Sequence, residues 1–388
     1  MIAELAGALA ALIWLYLLLG RGMFWRLREA DLTPFPRDTT QRVAVIIPAR
    51  NESEAVGRAT ASLLQQDYPG PVRVFLADDH STDGTPEAAA RAARQLGRSD
   101  TLTLVQAGPL PDGWTGKLWA VAEGVRAAGP FQPDYLLFSD ADIVHSAESL
   151  SSLVARAADG DYDLVSHMVK LRCETFAEKA TIPAFLFFFF KLYPPAWTAS
   201  AQHKTAGAAG GCILMRSAAL ARIGGIAAIR GELIDDCALA KAVKQAGGRI
   251  WLGLTSKTRS VRRYGTFAEI ERMIARTAFW QLKHSVLLLL GTLAGMFVTY
   301  LLPPLVLLTG RPLPAALGAL AWLVMMITYV PALRFYARSA MWAPLLPLVA
   351  LFYMAATLHS AVEYWTGRGG MWKGRIQDRK TRGAVLPG

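Results

Sequence analysis

Cysteine is scarce in this chain, with Cys173, Cys212 and Cys237 the only three in 388 residues. Their wide spacing fits no metal-binding signature, so a disulfide scaffold is excluded and reduced thiols in a cytoplasmic module are expected. Charge is also sparse: Asp, Glu, Lys and Arg make up 18% of the chain against 53% hydrophobic residues, which is too apolar for an ordinary soluble protein of this length. There is no internal repeat and no low-complexity tract. The net charge of +11 comes with no recognisable nucleic-acid module, so arginines beside apolar segments are read as partners of anionic lipid headgroups, each worth about 1 kcal/mol near the surface. No charge interrupts residues 5–19 and no small-residue cleavage site follows them, whereas Arg21, Arg26 and Arg28 do. That pattern predicts an uncleaved anchor with the following chain on the cytoplasmic side.

Three further apolar stretches, residues 286–308, 313–333 and 342–358, each have about the length needed to cross a bilayer. Prolines at Pro303-Pro304, Pro331 and Pro344 to Pro347 kink or end them. Four full crossings from an outside N-terminus would put the tail outside, yet Arg368, Lys373, Arg375, Arg379 and Lys380 argue for inside. The sequence reading favours a cytoplasmic tail, with the Pro303-Pro304 region re-entrant. The organisation expected is an anchor at 1–30, a polar linker at 33–41, a catalytic module at 40–280, membrane helices at 285–362 and a basic tail at 363–388.

Within the module, apolar runs alternate with helical stretches. Val43 to Ile47 reads as a buried strand stopped by Pro48 and followed by a helix over 54–66. A second strand over 72–77 ends in Asp78-Asp79-His80-Ser81-Thr82-Asp83-Gly84-Thr85, and a third over 102–105 leads to Trp114-Thr115-Gly116-Lys117 and a helix through 128. A fourth, Tyr135 to Phe138, ends in Ser139-Asp140-Ala141-Asp142. This β-α-β alternation predicts a mostly parallel, Rossmann-like α/β sheet whose C-terminal strand edges carry Asn51, Asp79, Lys117 and Asp140. Two carboxylates one residue apart at such an edge can aim oxygens at one hard divalent cation, Mg²⁺ or Mn²⁺, provided a diphosphate completes the shell. The alternative is a solvated turn.

Five motifs now stand in order: Ile46-Ile47-Pro48-Ala49-Arg50-Asn51-Glu52, Ala77-Asp78-Asp79-His80-Ser81-Thr82-Asp83-Gly84-Thr85, Thr115-Gly116-Lys117, Ser139-Asp140-Ala141-Asp142 and Ile234-Asp235-Asp236. In order and separation they resemble the family 2 glycosyltransferases of GT-A fold. Trp14 to Gly22, Gly113 to Ala120 and Ile234 to Ala240 extend the resemblance to the bacterial hopene-associated membrane glycosyltransferases. Trp372-Lys373-Gly374-Arg375 is similar to the basic tail after the last helix in related lipid glycosyltransferases. The resemblance implies a multi-pass protein of a bacterial inner membrane that moves one sugar from a nucleoside-diphosphate donor, a UDP-sugar foremost, to a hopanoid or isoprenoid lipid hydroxyl with inversion.

The resemblance also implies roles. Pro48, Arg50, Asn51, Glu52, Asp78 and Asp79 fall where the family holds the donor's base and ribose, and carboxylates accept from an imide N–H or ribose hydroxyls. Lys117, at a helix start, and Arg276 would reach the diphosphate. Asp140 and Asp142 would hold the cation, with His145 a third contact or simply a helix cap. Inversion needs a base opposite the leaving group, and of the pair Asp235 and Asp236 the register favours Asp236, with Asp235 holding geometry or raising its neighbour's pKa. One of the two could instead cap the helix that follows. Gly210 and Gly211, in a small-residue stretch, offer bare backbone to an acceptor or a tight strand entry.

Two further segments bear on the acceptor. Processive members carry Gln-x-x-Arg-Trp, where this chain has Met273-Ile274-Ala275-Arg276-Thr277; the missing Trp argues for transfer of a single sugar. The run Ile182 to Phe190 is too short to span, so a segment at 182–193 is expected to lie in the interface and, through Phe187 and Phe188, wall a lipid entrance. Packing as a core helix is the alternative. Two other functions stay open: a polyprenyl-phosphate glycosyltransferase, whose acceptor phosphate needs no strong base, and a non-catalytic membrane scaffold, which intact Asp140, Asp142 and Asp236 weigh against.

Overall fold

A computed structural model describes residues 1–29, 40–372 and 375–376. The linker expected at 33–41 and the basic tail from 377 onward lie outside the described residues almost entirely, as do Lys373 and Gly374.

The chain opens with α1 (Ile2–Leu19) and then alternates strand and helix. The strands are β1 (Val43–Ala49), β2 (Val72–Asp78), β3 (Leu102–Gln106), β4 (Tyr135–Phe138), β5 (Ile143–Val144), β6 (Leu164–Lys170), β7 (Ile213–Arg216) and β8 (Ile250–Ser260). Between and around them run α2 (Ser53–Leu64), α3 (Thr85–Gln95), α4 (Gly116–Ala128), α5 (Ser149–Asp159), α6 (Phe176–Leu192), α7 (Pro195–Ala199), α8 (Ser217–Arg222), α9 (Asp235–Gln245) and α10 (Phe267–Gln281). The last helices are α11 (Val286–Met296), α12 (Leu302–Leu307), α13 (Pro312–Phe335) and α14 (Leu346–Trp365).

The eight strands form one sheet in the order β3-β2-β1-β4-β7-β6-β8-β5. β1 to β4 pair in parallel, as a β-α-β chain with buried strands requires. Beyond β4 the sheet becomes mixed: β7 lies antiparallel between β4 and β6, and β8 pairs parallel with β6. Each face has its own core. Val45, Ile47, Val74, Leu76 and Leu137 pack beneath α2, α3 and α5, while Ala44, Ile46, Leu136 and Met215 pack beneath α4, α8 and α9. With both faces covered, the site-bearing turns lie on the C-terminal edge of β1, β2 and β4.

A third core joins this module to the apolar helices. Phe187 and Phe190 of α6, 1% exposed each, pack with Trp14 and Phe24, with Tyr329 of α13 and with Leu252 and Leu254 of β8. The Phe187 ring meets Phe24 at 5.2 Å and Tyr329 at 5.4 Å; Phe188 meets Tyr300 and Tyr353. This corrects the expected entrance wall. α6 is a 17-residue helix, closed at its start by a capping box between Thr175 and Glu178, and Phe187 is core rather than a surface open to substrate. Phe187→Ala is therefore expected to cost about 3–5 kcal/mol of stability, read as a lowered denaturation midpoint in detergent, whereas a mere entrance wall would change only the acceptor KM.

Residues 286–307 form one apolar helical run, not the re-entrant stretch expected. Pro303 cannot donate to the carbonyl four residues back, that of Thr299. There the helix widens into a π turn over Phe297–Leu301, and Trp14 Nε1 of α1 donates to the Thr299 carbonyl at 2.7 Å. The neighbouring helix thus satisfies the group the proline leaves open.

Candidate active site

The turns after β1 and β2 are tied together by backbone N–H groups. Asn51 N–H donates to Ser81 Oγ, Glu52 N–H to Thr85 Oγ1, Ser53 N–H to Asp83 Oδ2 and Thr82 N–H to Asn51 Oδ1, all within 3.0 Å. Asn51 and His80 adopt left-handed backbone with φ of 51° and 54°, a conformation that costs energy and is held by these bonds. Asn51 thereby spends its side chain on the loop. Asp79 is buried and lies 3.6 Å from Arg50 Nη1. Asp78 is also buried; its Oδ2 accepts from Ser81 N–H, but its Oδ1 has no hydrogen-bond partner among the described residues. An unpaired buried carboxylate oxygen is costly unless a ligand donor completes it.

α4 begins at Gly116 behind the Thr115 cap and sends Lys117 into the cleft. Its Nζ sits 3.0 Å from both Asp140 Oδ1 and Asp235 Oδ2. Burial alone would push this amine down, yet the two carboxylates raise it well above the ordinary lysine value, so Lys117 stays charged. Asp140 is pushed up by burial and by Asp142 and Asp235, against the pull of Lys117. Asp142 is 8% exposed and accepts from Ser260 Oγ at 2.7 Å and Arg262 Nε at 3.2 Å. Arg262 also donates to Glu52 Oε1 through Nη2 at 2.5 Å. One guanidinium therefore links the turns after β1 and β4 from the end of β8.

Asp236 lies in the first turn of α9. Its Oδ2 accepts from Gly210 N–H at 2.8 Å and its Oδ1 from Cys237 N–H at 2.7 Å. Burial and the like charge of Asp235 raise its pKa to about 6, against the pull of Lys117. Pro48, Lys117, Asp140, Gly210, Asp235 and Asp236 line one cleft. A Cβ on Gly210 would stand 3.3 Å from Asp236 Oδ2, so the glycine allows the close approach. Gly211 instead abuts Ile143 and Val169 and serves strand packing.

The structure thus brings Lys117, Asp140, Asp142, Asp235 and Asp236 together. Arg276 is exposed on α10, though its charge reaches Tyr264 beside Arg262. His145 is not placed as a cation ligand: its Nε2 meets Ser139 Oγ at 2.9 Å and its Nδ1 meets Ser149 Oγ at 3.3 Å, and burial pushes its pKa down to about 3. Sequence reasoning missed Arg262 and Ser260, whose signal was only a strand ending in Ser260-Val261-Arg262-Arg263. Among the described residues no group of three or more His, Cys, Asp or Glu side chains gathers to hold a metal. The hard oxygens of Asp140 and Asp142 fit a divalent cation only if a diphosphate and water supply the rest of its shell.

Comparison with known proteins bears on this geometry. Residues 44–224 match the family described as Glycosyl transferase family 2. The chain is 38% identical over 102 residues to a 4,4'-diaponeurosporenoate glycosyltransferase of Staphylococcus aureus, covering 26% of this chain and 24% of that protein. It is 33% identical over 127 residues to the enzyme of that name from Staphylococcus haemolyticus, covering 32% and 31%. The chain thus spans about a quarter to a third of the length of these curated relatives. Among solved structures, a mannosyltransferase from Pyrobaculum calidifontis in complex with GDP-Man and Mn²⁺ superposes with a TM-score of 0.57 at 20% identity, over 92% of this chain and 98% of that one. That likeness establishes the GT-A fold.

Proposed function

Since the chain belongs to the family 2 glycosyl transferases, we propose that it is a membrane-bound inverting enzyme that transfers one sugar from a nucleoside-diphosphate sugar to a hydroxyl of a polycyclic or isoprenoid lipid. The observation that carries this reading is Asp236, a half-buried carboxylate whose pKa is raised to about 6, held by two backbone N–H groups in the same cleft as Lys117 and Asp140. A base of that pKa is mostly ionised at neutral pH and still basic enough to take a hydroxyl proton as the bond to the sugar forms. A phosphate acceptor would need no such group.

The donor's base and ribose are assigned to the turns after β1 and β2. There the unpaired Oδ1 of Asp78 can accept from an imide N–H, and Arg50, Glu52 and Asp79 belong to the same pair of turns. Lys117 and Arg262 pair with the carboxylates of the cleft and can meet diphosphate oxygens. Asp140 and Asp142 would hold Mg²⁺ or Mn²⁺, which when bound supplies Lewis-acid assistance to the departing diphosphate. Asp235, paired with Lys117, keeps the pKa of Asp236 high.

The lipid acceptor is supported by the four apolar helices and by the acceptor named for the staphylococcal relatives. The module is assigned to the cytoplasm, in a bacterial inner membrane, because Arg21, Arg26, Arg334 and Arg338 cluster at the module ends of α1 and α13, whereas the loop between α12 and α13 carries Arg311 alone. The test is mass spectrometry of lipid extracts from cells with and without the gene, followed by transfer with the purified protein from UDP- and GDP-sugars. A lipid heavier by one sugar, present only with the gene and free of phosphate, is expected. A product on polyprenyl phosphate, or no product from any donor, would replace this reading with the phosphate-acceptor or the scaffold alternative.

A further inference from the structure

Hydropathy alone treats α14 like the other long apolar helices: residues 340–365 are one of four candidate spans. Its packing is different. α14 runs parallel to α10 along the whole of α10. Phe267 meets Phe352 with ring centroids 5.8 Å apart, Glu271 pairs with His359, Phe279 N–H donates to Ser360 Oγ at 3.0 Å, and the Phe279 ring meets Tyr364 at 5.4 Å. α10 carries Glu269, Glu271, Arg272 and Arg276 within 15 residues, a charge density that the hydrocarbon core does not tolerate. A helix lying beside it from end to end shares its depth.

Both ends of α14 also meet elements of the module's side. Trp342, just ahead of it, packs on Phe176 at the start of α6, and Tyr364 stacks on His284 at 3.9 Å, immediately before α11 begins. The other three runs share a far end. Gly7 lies against Val306 and Leu317 at one end. At the other, Arg21 Nε donates to the Lys191 carbonyl at 3.1 Å and Lys170 Nζ stands over the Phe335 ring at 5.1 Å. α1, α11 with α12, and α13 therefore stretch from the module to a common far end. On the side of α14 turned away from the protein, Leu345, Leu348, Leu351, Leu358, Val362 and Trp365 are between 41% and 65% exposed, at spacings that keep them on one helical face.

We propose that α14 lies in the plane of the leaflet next to the catalytic module, with this stripe against the acyl chains, so that the chain crosses the bilayer three times and its end returns to the module's side. The partner of this surface is the bilayer itself. An in-plane helix with one apolar face open and the other packed on protein buries its exposed leucines without moving α10 into the hydrocarbon. It also removes the conflict between four crossings and a basic tail, because residue 368 onward then shares the side of Arg21 and Arg338.

The proposal rests on the chain being a membrane protein, which resistance to alkaline extraction measures separately. Two experiments on the full chain test it. A green fluorescent protein or an alkaline phosphatase is fused after residue 388; the fluorescent fusion is expected to glow and the phosphatase to be inactive, with the reverse for a fusion before Met1. In the second, nitroxide labels are placed singly at Leu348, Ala355 and Val362, with Cys173→Ser and Cys237→Ser, and their depth is read by oxygen and nickel relaxation in liposomes. The three should lie at one depth. If α14 crossed, positions 348 and 362 would differ in depth by about 21 Å at 1.5 Å per residue. An active phosphatase after residue 388, or graded depths, overturns the proposal.

Discussion

Asp236→Asn is expected to lower kcat by about 10²–10⁴ with donor affinity nearly unchanged, because proton removal from the acceptor hydroxyl occurs only in the transition state. The amide matches the carboxylate in size, but it offers one acceptor oxygen where Gly210 N–H and Cys237 N–H now use two. A stability loss of about 1–3 kcal/mol accompanies it, so the rate must be measured well below the unfolding temperature. The pH profile separates the base from its neighbour. Asp236 is protonated and idle below its pKa of about 6, so kcat/KM should rise with pH through that value and level off above it. In Asp236→Asn this limb should vanish. In Asp235→Asn it should persist at lower pH, because the like charge that helps to raise Asp236 is gone. Near-normal turnover in Asp236→Asn with an inactive Asp235→Asn would transfer the role to Asp235. Near-normal rates in both would favour an acceptor phosphate.

The part of the site built on β1, β2 and β4 was legible because each of those strands is a short, largely apolar run, and a parallel sheet brings their C-terminal ends to one edge; Pro48, expected to stop β1, instead lies inside it and pairs with Ala77. Asp235 and Asp236 were found by motif and register, and α9 does begin on them. The second half of the sheet was not legible. β7 reverses direction between β4 and β6, and nothing in a four-residue strand of three apolar residues and Arg216 states which neighbour it will pair with. Arg262 shows the same limit more sharply: its partners Glu52 and Asp142 lie 210 and 120 residues away, and only the pairing of β8 with β6 and β5 brings them within reach. The phenylalanine run in α6 was ambiguous for a different reason. An aromatic helix against a membrane and one in a core have the same composition, and contact with Phe24 and Tyr329 decides between them. Hydropathy likewise counts α14 among the spans, and what sets it apart is the charged helix beside it.

Asp142→Asn is expected to abolish transfer, by at least about 10³-fold, with little loss of stability. The side chain sits at the end of β4 with Ser260 and Arg262 on one oxygen. An asparagine oxygen can keep both of these donors, and Arg262 retains its bond to Glu52, so the fold loses a charge but no hydrogen bond. The cation loses a ligand it cannot spare. With Asp140 engaged by Lys117 and no third carboxylate, histidine or cysteine gathered beside the pair among the described residues, Mg²⁺ or Mn²⁺ alone should bind weakly, and must compete with the Arg262 guanidinium for Asp142. A donor diphosphate changes that balance by adding ligand oxygens and by giving Lys117 and Arg262 another anion to meet. Donor and cation should therefore bind interdependently: titration calorimetry should find each tighter in the presence of the other, by equal factors, as linkage requires. In Asp142→Asn that coupling should collapse towards unity while the unfolding temperature stays near that of the parent. EDTA in excess should stop turnover of the parent and Mn²⁺ should restore it. Unchanged turnover in saturating EDTA would remove the cation from Asp140 and Asp142 and leave Lys117 and Arg262 as the groups that neutralise the leaving diphosphate.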